Sequence, residues 1–147
     1  MKSTELLKVV TFVIAAIFFM ACSEDDPSIL EVTVNGTLLV GDQSDFNGDI
    51  DASFTSNGAS VFRSFTWNNN SDTADYNADI TATSQGTFRM IVKDSEGIVV
   101  LNRTINGNTE PDSISGVTSS GAAGIWTVTI EITNFTGDGS FSLSEGD

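Results

Sequence analysis

Between residues 125 and 134 the chain alternates without a break, with Trp126, Val128, Ile130 and Ile132 at even positions and Thr127, Thr129, Glu131 and Thr133 at odd ones. A period of two gathers the apolar side chains on one face of an extended strand and scatters them around a helix, so this segment is a strand with one dry and one wet side. A dry side needs a second layer to cover it. From Ile29 onward the same grammar repeats, in short β-branched and aromatic runs separated by clusters of Gly, Asn, Asp and Ser, with no long amphipathic helical pattern. Such a chain is all-β, a sandwich or barrel of about eight or nine strands.

Individual elements follow from the turn chemistry. Residues 29–34 alternate Leu30, Val32 and Val34 with Glu31 and Thr33, and Asn35-Gly36 then supplies the two positive φ angles of a tight hairpin into residues 37–40. Ile50, Ala52 and Phe54 share a face, and Asn57-Gly58 is expected to turn that strand back into residues 61–67. Residues 68–78 are polar and read as a long loop. Strands are then expected at 80–83, at 87–93 with Phe88, Met90 and Val92 inward, at 98–105 after an Asp94-to-Gly97 turn, and at 114–117. Thr136-Gly137-Asp138-Gly139 is expected to reverse the 125–134 strand into a last one at 140–144.

The N-terminus has a different character. Lys2 and Lys8 precede an apolar run from Val9 to Ala21 interrupted only by Thr11, too short to span a bilayer, which needs about 20 apolar residues, and arranged like a cleaved secretory signal. Phe19-Met20-Ala21-Cys22 resembles the bacterial lipobox, with Phe19 where Leu is usual, and the resemblance implies acylation of Cys22, the only cysteine. Glu24, Asp25 and Asp26 resemble the acidic export signal of Bacteroidetes-type surface lipoproteins, which implies an outer-membrane protein facing outward; the periplasmic face is the alternative, with the acids serving only as a solvated tether. The expected organisation is a signal peptide at 1–21, an acidic tether at 22–28 and one sandwich domain at 29–147.

Removing the first 21 of 147 residues leaves 126, enough for one domain with a core of its own. That chain keeps four bases, Arg63, Arg89, Lys93 and Arg103, against nineteen acids. Nucleic acid is therefore a poor partner, since phosphate binding draws on clustered cations. There is no histidine, which removes Ser-His-Asp and Cys-His catalysis and histidine-ligated zinc.

The second half, with Gly86, Lys93-Asp94, Gly97, Gly121, Trp126-Thr127-Val128 and Gly137-Asp138-Gly139, is similar to the closing strands of extracellular jelly-roll sandwiches such as the pre-peptidase C-terminal domain and the proprotein-convertase P domain. The resemblance implies a single β-sandwich, jelly-roll or immunoglobulin-like, that is an accessory module and not an enzyme.

Candidate ligand groups fall in three places. Asp45, Asn47, Asp49 and Asp51 put oxygens at alternate positions, the supply a calcium loop needs, although the spacing is not that of an EF-hand and a polar turn entering a strand explains it equally. Trp67 and Tyr76 flank Asp72 and Asp75, and aromatic faces beside carboxylates suit sugar recognition; Trp67 is also in phase with Phe65 and reads as core. Asp72-Thr73-Ala74 and Asp112-Ser113-Ile114 resemble the Bacteroidetes O-glycosylation acceptor, which implies glycans on Thr73 and Ser113 in loops. The leading expectation is a noncatalytic, lipid-anchored binding module for glycan or an envelope protein, ahead of an assembly subunit of an outer-membrane complex and of a small hydrolase.

Overall fold

A computed structural model describes residues 29–41 and 45–147; Cys22, Glu24, Asp25, Asp26 and the leader lie outside the described residues. The described residues form nine strands: β1 (Leu30–Val34), β2 (Thr37–Leu38), β3 (Asp45–Asn47), β4 (Ile50–Asn69), β5 (Ala74–Ala82), β6 (Thr87–Lys93), β7 (Val99–Asn106), β8 (Ser113–Val117) and β9 (Gly124–Glu145). No helix occurs among the described residues.

The organising element is a long antiparallel ribbon. β4 and β9 pair along their full lengths, from Ile50 opposite Leu143 to Asn69 opposite Gly124. Midway the register breaks twice, between Asn57 and Ala59 and again between Ala59 and Val61. The first break inserts an extra residue in β4 and the second one in β9, so the inward positions change from even to odd in both strands: Ile50, Ala52 and Phe54 become Phe65 and Trp67, and Trp126 to Ile132 become Phe135, Phe141 and Leu143. Bulges bend and twist a strand, which is how one sheet turns a corner onto itself.

On one side of the corner the order is β2-β1-β4-β9-β5-β8; on the other it is β3-β4-β9-β6-β7. Neighbours are antiparallel except β3, which runs parallel to β4. The two layers meet through aromatic rings. Phe54 of the first layer stacks on Phe88 of the second with centroids 5.2 Å apart, Phe88 also meets Phe141 at 5.9 Å, and Phe135 at the corner packs against Phe54 at 5.4 Å. Ser119 N donates to Val100 O at 3.0 Å between the chain after β8 and strand β7. The fold is thus an all-β sandwich, as the alternation implies.

The first hairpin forms as read: Asn35 and Gly36 have φ of 47° and 77°, and Val34 pairs with Thr37. Three expectations are corrected. Asn57-Gly58 and Thr136 to Gly139 do not reverse the chain but lie within β4 and β9. Gly137 and Gly139 are there because β5 and Phe54 come too close for a side chain: a Cβ on Gly137 would strike Thr81 O, and one on Gly139 would lie 2.6 Å from the Phe54 ring. The polar stretch 68–78 is loop only over 70–73. From Ala74 it is strand β5, with Ala74, Tyr76, Ala78 and Ile80 inward and Asp75, Asn77 and Asp79 outward.

Candidate functional site

The aromatic residues singled out from the sequence do not face solvent. Trp67 is 0% exposed, meets Trp126 edge-on at 6.0 Å, and donates its indole N–H to Gly48 O at 2.7 Å. Tyr76 is 8% exposed and lies beneath Gly116, where a Cβ would come within 3.1 Å of its hydroxyl. Both are packing residues: Trp67 follows the core reading that its phase with Phe65 implies, and the ligand-stacking role set beside it, like that of Tyr76, is corrected. Asp75 is exposed on β5, whereas Asp72 is tied into the loops: its Oδ2 accepts from Ser120 Oγ at 2.8 Å and its carbonyl from Gly121 N at 2.7 Å. The sugar-reading constellation of Trp67, Tyr76, Asp72 and Asp75 is therefore not assembled.

Asp45 and Asn47 lie exposed on β3, Asp49 follows them, and Asp51 points outward from β4. Thr66 Oγ1 donates to Asp45, Asn35 Nδ2 donates to Asp49 O at 3.0 Å, and Asp51 N donates to Asn35 Oδ1 at 2.7 Å. Among the described residues no three acidic side chains converge on a metal-sized position. The turn that these residues form is held by Asn35 and Trp67. Of the two residues expected to accept glycans, Ser113 is exposed at the start of edge strand β8, not in a loop, while Thr73 is half-buried with its hydroxyl against Gly146.

What the strand pairing does bring together lies on the outer face of the second layer. Phe62 of β4 is opposite Glu131 of β9, which is opposite Arg89 of β6. Phe62 is 54% exposed, and its outward position in β4 follows from the corner, which puts Val61 and Phe65 toward the core instead. Arg89 is held in place by two neighbours: Nη1 meets Glu131 Oε2 at 2.9 Å, and Nε donates to Asn102 Oδ1 of β7 at 2.9 Å. An aromatic ring, a carboxylate and a guanidinium thus cross β4, β9 and β6 in one row, and the Asn102 amide of β7 reaches Arg89 diagonally, from two residues before Thr104, which is the residue opposite Arg89. Strands lie about 4.8 Å apart, so Phe62 and Arg89 stand about 10 Å from each other.

Beside the row, Ser60, Val61, Phe62, Glu131, Ile132 and Thr133 line an open depression of about 330 Å³. A second depression of about 350 Å³, between β5 and the loop carrying Glu110 and Asp112, is lined by neither an aromatic nor a basic residue. Sequence reading missed the row because its members are far apart in the chain: Arg89 and Glu131 are separated by 42 residues. The available signal was Phe62 itself, out of phase with Val61 and Phe65.

No family model matches the chain, and no curated protein matches it. Among solved structures, it is similar to the N-terminal cellulose-binding domain of β-1,4-glucanase C from Cellulomonas fimi, at 12% identity over 80% of this chain and 90% of that one, with a TM-score of 0.38. It is also similar to a chain described as "CBM4 structure and function", at 13% identity over 66% of this chain and 78% of that one, with a TM-score of 0.33. At these scores the fold rests on the strand pairing and the burial pattern, and the site on its own geometry.

Proposed function

We propose that this protein is a noncatalytic, lipid-anchored binding module of the outer membrane, displayed at the cell surface, that takes a glycan on the outer face of its second layer. The observation that carries the glycan reading is the row of Phe62, Glu131 and Arg89 with Asn102 held diagonally beside it. An exposed ring offers an apolar face to the C–H side of a sugar, while the carboxylate, guanidinium and amide beside it accept from and donate to hydroxyls. Because Glu131, Arg89 and Asn102 already hold one another, little side-chain freedom is lost when a ligand arrives. The anchor rests on Cys22 and the leader before it, and the outward address on Glu24, Asp25 and Asp26.

The test is isothermal titration of the full chain in detergent micelles with a panel of soluble polysaccharides. One or more binds, and Phe62→Ala weakens that binding by about tenfold. The melting temperature barely moves, because exposed substitutions seldom change stability by more than about 0.5 kcal/mol. If no glycan gives heat while one membrane protein co-purifies with the chain, the assembly-subunit reading replaces this one. A palmitate analogue labels Cys22 in growing cells if the anchor is real; an unlabelled chain removes the address.

A further inference from the structure

Cations are distributed unevenly over this sandwich. Strands β6 and β7 carry Arg89, Lys93 and Arg103, three of the four bases among the described residues, and no carboxylate. The outer face of the first layer carries Glu31, Asp51, Asp75, Asp79 and Asp138 with no base. Two of the three cations stand on the face that holds Phe62: Arg89 and Lys93 are four residues apart on β6, hence on the same side and about 13 Å apart along the strand. Both have free donors. Arg89 uses Nε and Nη1 within the protein, which leaves Nη2 without a partner among the described residues. Lys93 is exposed, and among the described residues its ammonium makes no hydrogen bond or ion pair.

Resting on the reading that this face takes a glycan, we infer that the glycan is acidic, a uronate-bearing chain whose carboxylates sit on Lys93 and on the free Nη2 edge of Arg89 while a sugar ring lies on Phe62. Glu131 offsets the charge of Arg89 once, so Lys93 supplies the uncompensated positive charge and Arg89 mainly directional donors. Phe62 and Lys93 are about 16 Å apart on the diagonal of the sheet, which calls for an oligosaccharide and not a single sugar. The acids of the other layer do not forbid this. Sheets pack about 10 Å apart, and at physiological ionic strength the screening length is about 8 Å, so their field is largely lost at the opposite surface.

Titrating the full chain in detergent micelles with polygalacturonate, with a neutral glucan and with glycerol phosphate, the soluble headgroup of phosphatidylglycerol, tests the inference. Polygalacturonate binds more tightly than the glucan, and Lys93→Gln weakens it about three- to fivefold, the range of an exposed ion pair, without altering glucan binding. Equal binding of the two polymers, unaffected by Lys93→Gln, overturns the acidic preference and leaves the glycan reading standing. Binding of glycerol phosphate but of neither polymer, lost in Lys93→Gln, assigns the cations to lipid headgroups and overturns both. Lys93 is exposed, so the variant is expected to fold, and an unchanged melting curve verifies that it has.

Discussion

Asp94 shows how one side chain organises an end of the sandwich. Its carboxylate is buried and accepts three backbone N–H groups: Ala122 N on Oδ2 at 2.9 Å, and Glu96 N and Ile98 N on Oδ1 at 3.0 and 2.8 Å. One residue thereby closes the β6–β7 turn and pins the segment leading into β9, where Ala122 O in turn accepts the indole N–H of Trp126 at 2.8 Å. The bond from Ala122 N–H, helped by those from Ile98 and Glu96 and by the nearby Gly97 N–H, lowers the Asp94 pKa below its ordinary 3.8 against the opposing effect of burial. A carboxylate whose pKa is lower in the folded than in the unfolded chain contributes stability that is present above the unfolded value and is lost as pH falls through the folded one. Asp94→Asn is therefore expected to melt at a lower temperature than the parent at pH 7, with the gap narrowing as pH drops below 3.8. Thermal melts at pH 7, 5 and 3 measure it, and a gap independent of pH would remove the charge from the explanation.

At the scale of elements the corner of the β4–β9 ribbon decides the fold, and glycine decides the corner. Gly137 has a φ of 142° and faces Thr81 O of β5 so closely that no Cβ fits. Gly137→Ala is expected to cost about 1–3 kcal/mol, as overpacking does, and to appear as a lower midpoint in urea with little change in slope. An unchanged midpoint would mean that β5 and β9 separate there without strain. These glycines also explain what was legible in the sequence. Asn35-Gly36 reads correctly as a turn because the strands on both sides are short and local. Gly137-Asp138-Gly139 carries the same turn chemistry yet serves close approach between strands, and nothing in one stretch of chain distinguishes the two uses. Strand β5 was hidden because two of its inward residues, Ala74 and Ala78, are too small to mark a hydrophobic face between Asp75, Asn77 and Asp79. The group of Phe62, Glu131, Arg89 and Asn102 was hidden for a different reason, since it exists only once four strands are placed side by side.

Taken whole, the molecule is a strongly acidic body, with 20 acids against 6 bases in the full chain. Self-repulsion of this kind destabilises a compact state and is weakened by salt. The five carboxylates on the outer face of the first layer stand on neighbouring strands without a cation among them, so the melting temperature is expected to rise between about 10 and about 300 mM sodium chloride, a span over which the screening length falls from about 30 Å to below 8 Å. Calcium separates screening from a built site. A ligand that binds only the folded chain adds stability that grows with its concentration over its dissociation constant, whereas screening depends on ionic strength and valence. Because no three acidic side chains converge among the described residues, calcium and magnesium at equal concentration are expected to raise the melting temperature equally. A rise specific to calcium that Asp49→Asn abolishes would mean that Asp45, Asn47, Asp49 and Asp51 assemble around the ion when it is present, through a rearrangement of the turn that Asn35 and Trp67 now hold.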